Sequence, residues 1–492
     1  MKTLSRKIFL GTSILLLLFI SGCDKHLDIN VDPNNPSLDQ GTPLLVFPVG
    51  VMAVAGAAGG QFGILGAIWG QYTTQAALSN QYKTIDAYQI TKSDLNGAYS
   101  LLYTRGLKNF QFVIDKAGAS ADWNFYLMGM CMKAYATTIL VDLYDQIPYS
   151  EALKGASNLS PKFDDGYSIY KDLLTNLDAA LANDFGASTN TNAGSADLVF
   201  GGDMDKWKEF AYTLELKMYL RMVNAKPDEA SAGIEKLIDQ GAPFLTEDAG
   251  VYGFTDAPGV DNPLFEQNSR SLNTTNNLRA SVTFTSYLKQ NSDTPRLQYY
   301  FGSNDPSAIN QGDYAGTDPS YGTAAVYNPA PTDPVIFISL AETYFMQAEA
   351  DLRYLGAANT KSLYDNGVWA AFASTGNDGT PYTEAGAPYE YPSAGTVEDQ
   401  IKAISTQKWA SCAYGVHFLE GYFEKNRTGY PLTSPVYSTA GTYVPGEFVT
   451  SANSALAAGK LPERLIFPDL ERQTNSNTPA EVALDVPVWW AK

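Results

Sequence analysis

The segment at residues 123–153 (WNFYLMGMCMKAYATTILVDLYDQIPYSEAL) constrains the fold more than any other part of this chain. Its first two-thirds place Tyr, Leu, Met, Ala, Ile and Val on every side of a helix. A helix that is apolar nearly all round lies in the middle of a core, with other helices packed about it. Lys133 and Asp142 make it a poor candidate for a membrane span. Pro148 predicts the end of this helix, and residues 150–153 are expected to form a short second helix.

Residues 1–22 have the anatomy of a signal peptide. Basic residues precede an apolar run that is too short to span a membrane, and small residues follow it. The string Ile20-Ser21-Gly22-Cys23 is typical of a bacterial lipobox, in which Cys23 is acylated and becomes the new N-terminus. An ordinary secretory cleavage site beside an incidental cysteine is the alternative. We expect an exported chain that is anchored by lipid on Cys23, since each buried methylene adds about 0.8 kcal/mol to membrane binding.

Residues 23–40 (CDKHLDINVDPNNPSLDQ) are polar and broken by proline, which is typical of a tether. Asp28, Asn30 and Asp32 alternate as in a calcium-binding loop. However, Pro33 stands where such a loop needs glycine, and the closing glutamate is missing. We therefore interpret this segment as a lipid-anchored tether without a metal site.

Residues 49–69 carry no charge and contain glycines at the spacing of paired membrane helices, Gly56/Gly60 and Gly59/Gly63. A membrane span is therefore one interpretation. The segment is nonetheless rich in Gly and Ala and poor in large aliphatic residues. Close helix packing inside a soluble core explains the glycines better, and the lipid anchor already supplies attachment to the membrane.

Helical spacing of apolar residues recurs along the rest of the chain, at residues 99–117, 167–181, 210–222, 341–355 and 400–424. Asp203 or Asp205 is expected to cap the third of these helices. No comparable series of alternating β runs occurs, so the sequence predicts an all-α fold. Turn-rich insertions separate the helices, at residues 240–267, 299–334, 374–395 and 431–460. Insertions of this length within a compact domain are usually functional.

The chain is strongly acidic, with 33 Lys and Arg against 52 Asp and Glu and a formal net charge of −19. Removal of residues 1–22, whose charges are all basic, makes the mature chain more acidic still. Such a chain repels phosphate backbones, which argues against a nucleic-acid partner. It also argues against binding anionic lipid through a basic patch.

Signatures of catalysis are missing from the mature chain, which has no Walker loop, HExxH, GxSxG or paired CxxC. The two histidines are His26 in the tether and His417 in a helical pattern, which disfavours a histidine-based triad. Acidic pairs such as Asp164-Asp165 could serve glycoside hydrolysis, but a solvated surface explains them better. We expect no catalytic residue, no metal and no cofactor.

Two cysteines remain beyond the tether, Cys131 and Cys412. Export permits a disulfide between them. Cysteines this sparse and this distant in sequence are more often buried free thiols, and this is what we expect.

Six stretches, in one order along the chain, resemble signatures of a known family. They are VDLYDQIPYSEAL at 141–153, FGGDMDKWKEF at 200–210, DTPRL at 293–297, PVI with AE and AEA at 334–350, QKW with EGYFE and RTGYP at 407–431, and LPERLIFP at 461–468. With the lipobox, they resemble the SusD/RagB family, surface lipoproteins of Bacteroidetes-type bacteria. The chain departs from the pattern at Phe200, where the family has tyrosine, and in DTPRL, which is one residue longer than the family's Asp-Pro-Arg-Leu.

This resemblance implies an all-α domain over residues 41–492, with tetratricopeptide-like helix pairs that support a binding face of long irregular loops. It also implies a non-catalytic outer-membrane lipoprotein that captures oligosaccharides and delivers them to a SusC-like TonB-dependent transporter. A RagB-like lipoprotein that binds peptides for the same kind of transporter is the first alternative. A surface glycosidase is the second, and consumption of the substrate would distinguish it from a binder.

The resemblance further implies a place for the ligand. The family builds its glycan face from the loop after an early tryptophan-containing helix and from loops in the middle of the chain, and Trp69-Gly70-Gln71 resembles the W-x-Q of that helix. The two corresponding loops here supply Asn80, Gln81 and Tyr82, and Tyr314, Tyr321 and Tyr327. Tyrosine rings stack on the C–H faces of sugars and amides bind their hydroxyls, although the same tyrosines could merely pack the loops. Neither loop holds the tryptophan of the family's best-known site, which argues against starch.

Overall fold

The computed structural model describes residues 41–491 apart from residues 78, 275, 276 and 328. The predicted signal peptide, the tether and Cys23 lie outside the described residues. From Pro43 onward the chain forms one compact unit, and the following account concerns that unit.

Helices make up most of the regular structure of the described chain. In chain order they are α1 (Pro43–Gly59), α2 (Gln61–Trp69), α3 (Lys83–Asp86), α4 (Asn96–Leu101), α5 (Lys108–Ser120), α6 (Trp123–Tyr144), α7 (Gly166–Leu181), α8 (Met204–Arg221), α9 (Pro227–Asp239), α10 (Pro263–Phe265), α11 (Val282–Gln290), α12 (Thr294–Phe301), α13 (Leu340–Tyr354), α14 (Thr360–Ala373), α15 (Thr380–Thr383), α16 (Val397–Ser411), α17 (Phe418–Thr428) and α18 (Asp469–Thr474). A π-helical segment, Leu102–Leu107, joins α4 to α5.

The strands are short, and in the described residues they pair only in twos. The antiparallel pairs are β1 (Thr73–Gln75) with β5 (Leu278–Ala280), β2 (Gln146–Pro148) with β3 (Phe163–Asp165), and β4 (Ala249–Val251) with β6 (Val335–Ile338). Each pair joins two segments of the chain, and none of these pairs forms a separate layer of the fold. The predicted all-α fold is therefore confirmed.

The helix predicted over the central segment is α6. From Leu127 to Tyr144 every residue is buried except Lys133, as expected for a helix that is apolar nearly all round. Asp122 caps its N-terminus, since the carboxylate accepts a hydrogen bond from the N–H of Phe125 at 3.4 Å.

The end of α6 differs from the prediction. The helix stops before Pro148, because Asp145 takes a positive φ of 72°, and Pro148 closes strand β2 instead. Residues 150–153 form turns and not the predicted short helix. The carboxylate of Asp164 accepts hydrogen bonds from the backbone N–H of Ser150 at 2.7 Å and from its hydroxyl at 2.9 Å, which holds this turn against β3.

Consecutive helices pack in pairs around α6. Helix α5 packs along α6, α7 packs on both α6 and α8, and α9 packs on α8. Later in the chain α13 pairs with α14, and α16 pairs with α17. Of the two predicted caps of α8, Asp203 is the one used, because its carboxylate accepts from the N–H of Asp205 at 3.0 Å. This succession of helix pairs is the tetratricopeptide-like scaffold that the resemblance implied.

The uncharged segment near the start of the chain forms α1 and α2. By length and composition Pro43–Trp69 could cross a membrane, yet most of its residues are buried among other helices of the fold. A Cβ on Gly59 would lie 2.8 Å from Cγ2 of Val335, so the glycine permits a close contact with β6. The predicted core helix is confirmed, with a break at Gly60.

The helix predicted over residues 400–424 is two helices, α16 and α17, with a turn at residues 412–417. In this turn Gly415 and Val416 take positive φ values of 60° and 58°. A Cβ on Gly415 would collide with Ile336 of β6. The single long helix was therefore wrong, because the close approach of β6 requires a turn at the glycine.

Cys131 on α6 and Cys412 after α16 are both buried and free. This agrees with the expected free thiols. Burial raises the pKa of both thiols, so they remain uncharged at neutral pH.

Buried ion pairs connect five helices and form what we call the buried ion network. Lys217 of α8 lies 3.0 Å from Glu342 of α13 and 2.8 Å from Glu420 of α17, and Lys408 of α16 lies 3.1 Å from Glu420. Further pairs are Arg221–Asp142, Arg221–Glu420, Lys408–Glu342, Lys408–Glu424, Arg427–Glu424 and Arg427–Glu349, and Nε2 of His417 forms a hydrogen bond with Glu342 at 2.7 Å. Burial alone would raise the pKa of Glu342, but Lys217, Lys408 and His417 outweigh it and lower that pKa to about 2. Because an unpaired buried charge is costly, these pairs specify how the five helices pack.

Candidate functional site

A short β pair brings together the two loops in which the sequence places the ligand site. Strand β1 leads into the early loop (residues 76–88), and β1 pairs with β5. Strand β5 in turn holds the middle loop (residues 307–327), because the N–H of Ala280 donates to the carbonyl oxygen of Ala325 at 2.8 Å. The two loops therefore lie beside one β pair, although they are far apart in the sequence.

The side chain of Asp86 ties the early loop to the middle loop. Its carboxylate accepts hydrogen bonds from the hydroxyl of Thr74 at 2.7 Å, the N–H of Gln75 at 2.8 Å and the side-chain amide of Gln311 at 2.8 Å. Asp86 is fully buried. Burial raises its pKa to about 6 against the opposing effect of these hydrogen bonds. Above that pH the bonds are charge-assisted, which strengthens the connection between the loops.

A third segment, the late loop (residues 431–455), joins the other two at Gln311 and Gly312. The hydroxyl of Tyr437 donates to the carbonyl oxygen of Gln311 at 2.7 Å, and the amide of Asn453 donates to that of Gly312 at 2.7 Å. We call Asp86, Gln311 and Gly312 the loop junction. Backbone carbonyls and one buried carboxylate thus hold all three loops in place.

The surface that these loops present, here the loop face, combines exposed amides with a tyrosine ring. Asn80 and Gln81 of the early loop are exposed. Nζ of Lys83 lies 5.0 Å from the centroid of the half-buried Tyr314 ring of the middle loop. A cation is attracted to the face of an aromatic ring, so this contact favours the position of the Tyr314 ring beside the early loop.

A cleft of about 340 Å³ opens beside the early loop. Gln81 and Tyr82 line it together with Gln61, Asp94 and Gln267. Its lining therefore offers amide donors, amide and carboxylate acceptors, and the edge of an aromatic ring. Its volume lies within the range of about 300–1,000 Å³ that is typical of small-ligand sites.

Three of the predicted tyrosines are more buried than a stacking role requires. Tyr82, Tyr321 and Tyr327 are only 6%, 5% and 6% exposed. The hydroxyl of Tyr327 donates to the carbonyl oxygen of Ala413 at 3.0 Å, and that of Tyr321 donates to Asp313 at 2.6 Å. Tyr321 therefore packs within its own loop and Tyr327 packs its loop on helices α12 and α17, which is the packing role that the sequence left open, and neither offers an exposed ring face to a ligand. Tyr82 keeps an edge in the cleft.

Sequence reasoning did not identify the residues that assemble the loop face. Asp86 and Gln311 belong to no recognisable motif, and their contact joins segments that are distant in the chain. Lys83 follows directly after the predicted Asn80–Tyr82 stretch, but only the folded chain brings it to Tyr314. The tyrosine content of the insertions was the one available indication of Tyr437.

One known protein family matches most of this chain. A family model named SusD-like and described as starch-binding, associating with outer membrane, matches residues 66–451. No curated protein matches the chain.

Solved structures resemble the whole domain. A chitin-binding SusD homolog from Flavobacterium johnsoniae has a TM-score of 0.74 at 20% identity, over 91% of this chain and 98% of that one. A SusD homolog from Bacteroides uniformis has a TM-score of 0.73 at 19% identity, over 91% and 99%. A SusD/RagB family protein from Bacteroides thetaiotaomicron has a TM-score of 0.73 at 20% identity, over 92% and 99%. At these identities the likeness concerns the fold.

Proposed function

This chain belongs to the SusD-like family, whose members associate with the outer membrane, and we propose that it is a non-catalytic lipoprotein that captures oligosaccharides at the cell surface. The observation that carries the proposal is the loop face, where three loops meet at one junction beside a cleft of about 340 Å³. A surface of amides, a carboxylate and a tyrosine ring suits a ligand that has both hydroxyls and C–H faces.

Four of the residues named from the sequence are assigned to ligand contact. Asn80 and Gln81 are exposed and bind hydroxyls through their amides. Tyr314 offers the ring on which a sugar stacks, and its contact with Lys83 favours the position of that ring beside the early loop. Tyr82 contributes its edge to the wall of the cleft.

Calorimetry tests the proposal with maltotetraose, chitotetraose and a panel of short peptides. The Gln81→Ala and Tyr314→Ala variants should each weaken the binding of the preferred saccharide about tenfold, because each removes a hydrogen bond or a stacking surface worth about 1–2 kcal/mol. The matched control is Tyr252→Ala, which removes an exposed tyrosine that lies outside the three loops and is 49% exposed. The control should bind like the wild type.

The same measurements separate the alternatives. Binding of peptides without saccharides would transfer the function to the RagB-like alternative. Shortening of the saccharide during incubation would indicate a glycosidase. If the wild type bound a saccharide and neither variant altered the affinity, the ligand site would have to be placed away from the loop face.

We further propose that lipid on Cys23 holds the protein at the outer membrane, and that it delivers its ligand to a SusC-like TonB-dependent transporter. The basic start, apolar run and lipobox support the anchor. Family membership and loops more extensive than a scaffold requires support the partner. Co-expression with a SusC-like transporter and pull-down after detergent extraction should recover both proteins, and recovery of this chain alone would contradict the partnership.

A further inference from the structure

A second cleft lies on the side of the molecule built by the first helix pairs. It has a volume of about 820 Å³, within the range of about 300–1,000 Å³ of small-ligand sites. Helices α5, α6 and α7 line it together with the turn after β2, and none of the three loops of the loop face contributes. We call it the helical cleft.

The lysine of the central helix faces the helical cleft. Lys133 and Asp142 are the two charged residues of α6. Asp142 belongs to the buried ion network, whereas Lys133 lines the cleft. Burial lowers the pKa of Lys133 in spite of the nearby Asp172 and Asp115, so this ammonium group has lost much of its hydration.

Two chains of hydrogen bonds hold the polar groups of this cleft in fixed positions. Lys133 donates to Oε1 of Gln111 at 2.7 Å, and the amide of Gln111 donates to Asp115 at 2.8 Å. On the other wall, one oxygen of Asp172 accepts from the hydroxyl of Tyr149 at 2.6 Å and from the amide of Asn176 at 2.8 Å. Nζ of Lys133 lies 5.5 Å from the centroid of the Tyr149 ring, which connects the two walls.

These groups keep capacity for further hydrogen bonds. An ammonium has three N–H donors and the bond to Gln111 uses one of them. A carboxylate has two oxygens, and the bonds from Tyr149 and Asn176 go to the same oxygen of Asp172. The cleft therefore offers strong donors and strong acceptors that are already oriented.

The charges restrict the class of ligand. Charges of both signs line the cleft, since the carboxylates of Asp115, Asp164 and Asp172 repel an anion while the ammonium groups of Lys133 and Lys154 repel a cation. A neutral ligand with adjacent hydroxyls satisfies both kinds of group, because one hydroxyl can donate to a carboxylate while its neighbour accepts from the ammonium. The ring of Tyr149 adds an aromatic surface to the same wall.

We propose that the helical cleft is a second saccharide site, which binds a neutral sugar through Lys133, Asp172 and Asn176 beside the ring of Tyr149. The proposal rests on the proposed function for its ligand class and adds a site that is independent of the loop face. Two sites on one chain would let the protein hold a glycan long enough to reach both of them more firmly than either site alone.

Calorimetric stoichiometry with maltotetraose and with chitotetraose tests the proposal in the full mature chain. The wild type should bind two molecules of a saccharide that it accepts. Lys133→Met keeps the aliphatic stem and removes the donors, and Asn176→Ala removes one amide at the rim. Each should weaken one of the two sites about tenfold or more and leave the other unchanged. The double variant Gln81→Ala/Tyr314→Ala should weaken saccharide binding at the loop face and leave the helical cleft unchanged.

Lys208→Met is the matched control, since Nζ of Lys208 also lies over an aromatic ring, 5.1 Å from that of Phe185, outside the helical cleft. It should bind like the wild type. A stoichiometry of one that is unchanged by Lys133→Met and by Asn176→Ala overturns the second site while the proposed function stands. Absence of saccharide binding in the wild type overturns both. Binding that survives the double variant and is lost in Lys133→Met leaves the helical cleft as the only site.

Discussion

At the scale of single residues, the pKa values of two buried carboxylates in this protein are shifted in opposite directions, because only one of the two has cationic partners. Glu342 has cationic partners that lower its pKa to about 2. Glu215 on α8 is also buried, but neither of its carboxylate oxygens has a hydrogen-bond partner among the described residues. Burial, assisted by Asp178, raises the pKa of Glu215 to about 8. The folded protein therefore keeps Glu215 protonated at neutral pH.

The Glu215→Gln variant should become more stable than the wild type as the pH rises. In the unfolded chain Glu215 ionises near pH 4.5, whereas in the folded chain it ionises near pH 8, so its contribution to the free energy of unfolding falls between these two pH values. Below about pH 4.5 both states are protonated and the contribution is constant. Urea unfolding at about pH 5 and about pH 8.5 should show the advantage of the variant growing with pH.

An exposed glutamate on the neighbouring helix serves as the control for this effect. Glu235 of α9 is exposed, so Glu235→Gln should leave the pH dependence of unfolding as it is in the wild type. A Glu215→Gln variant whose stability follows the wild type at every pH would contradict the assigned protonation.

At the scale of elements, glycines decide where helices approach one another. Helix α2 packs on α17 at Gly66, where a Cβ would lie 2.5 Å from the backbone nitrogen of Leu419. Backbone cannot move aside as a flexible side chain can. The contact therefore needs the missing Cβ, and any side chain at this position forces the two helices apart.

The Gly66→Ala variant should be destabilised by about 1–3 kcal/mol, because overpacking a tight contact costs this much. Gly106→Ala is the matched control. The nearest atom to a Cβ at Gly106 is Cγ2 of Val54 at 3.7 Å, and alanine favours helical backbone over glycine by up to about 1 kcal/mol. Thermal unfolding should separate the two variants, and equal melting temperatures would show that α2 can shift on α17.

Periodicity predicted elements well where one apolar stripe decides the structure. Helix α7 runs over Gly166–Leu181, nearly the predicted residues 167–181, because its leucines form a single buried face. Periodicity failed at residues 400–424, since the apolar spacing continues through a turn whose cause is Ile336, in a distant strand. The short helix predicted at residues 150–153 is also absent, and the Asp164 side chain of β3 there accepts hydrogen bonds from the backbone N–H and the hydroxyl of Ser150.

Prediction of the ligand site from the sequence is limited in the same way, by contacts between distant segments. The sequence placed Asn80, Gln81 and Tyr314 on the two loops that do meet. It could not say which loop tyrosines are exposed, because Tyr321 is buried against Ile309 and Ala324 of its own loop and Tyr327 against aromatic rings of α12 and α17. The sequence did not predict the loop junction either, because its contacts join residues that are far apart in the chain.

At the scale of the whole molecule, the buried ion network couples stability to pH in the acid range. Burial alone would raise the pKa of Glu349, but Arg427 and Arg353 outweigh it and lower the pKa to about 2, as Lys217 and its neighbours do for Glu342. Carboxylates with lowered pKa stabilise the fold fully above about pH 4.5, their value in the unfolded chain, and lose this contribution as the pH falls towards 2.

Acid unfolding of the wild type should therefore begin below about pH 4.5, and removal of a central charge should weaken the fold at neutral pH as well. Glu420→Gln leaves Lys217 and Arg221 without their common partner and should cost about 3–5 kcal/mol. The control Glu247→Gln removes an exposed pair with Lys206 and should cost less than about 1 kcal/mol. Urea unfolding at pH 7 measures the loss of stability in both variants. Equal losses would contradict the claim that a buried pair of the network stabilises the fold more than an exposed pair.

Attachment to the membrane is predicted to depend on Cys23 alone. The Cys23→Ala variant should move from the outer-membrane fraction to the soluble fraction, because the apolar segment Pro43–Trp69 is largely buried in the fold and cannot replace a lipid anchor. Fractionation and immunoblotting check this outcome. Retention of the variant in the membrane would revive the membrane-span interpretation of that segment.

The loop junction separates the frame of the loop face from the residues that we propose as its ligand contacts. Asp86, Gln311 and Gly312 hold the loops through buried and backbone atoms, whereas Asn80, Gln81 and Tyr314 reach the surface without supporting that frame. Selection can therefore exchange the surface residues while the loops keep their course. On the proposed function, a few substitutions at these positions change the ligand, and a library randomised at the three surface positions would sample new specificities on an intact scaffold.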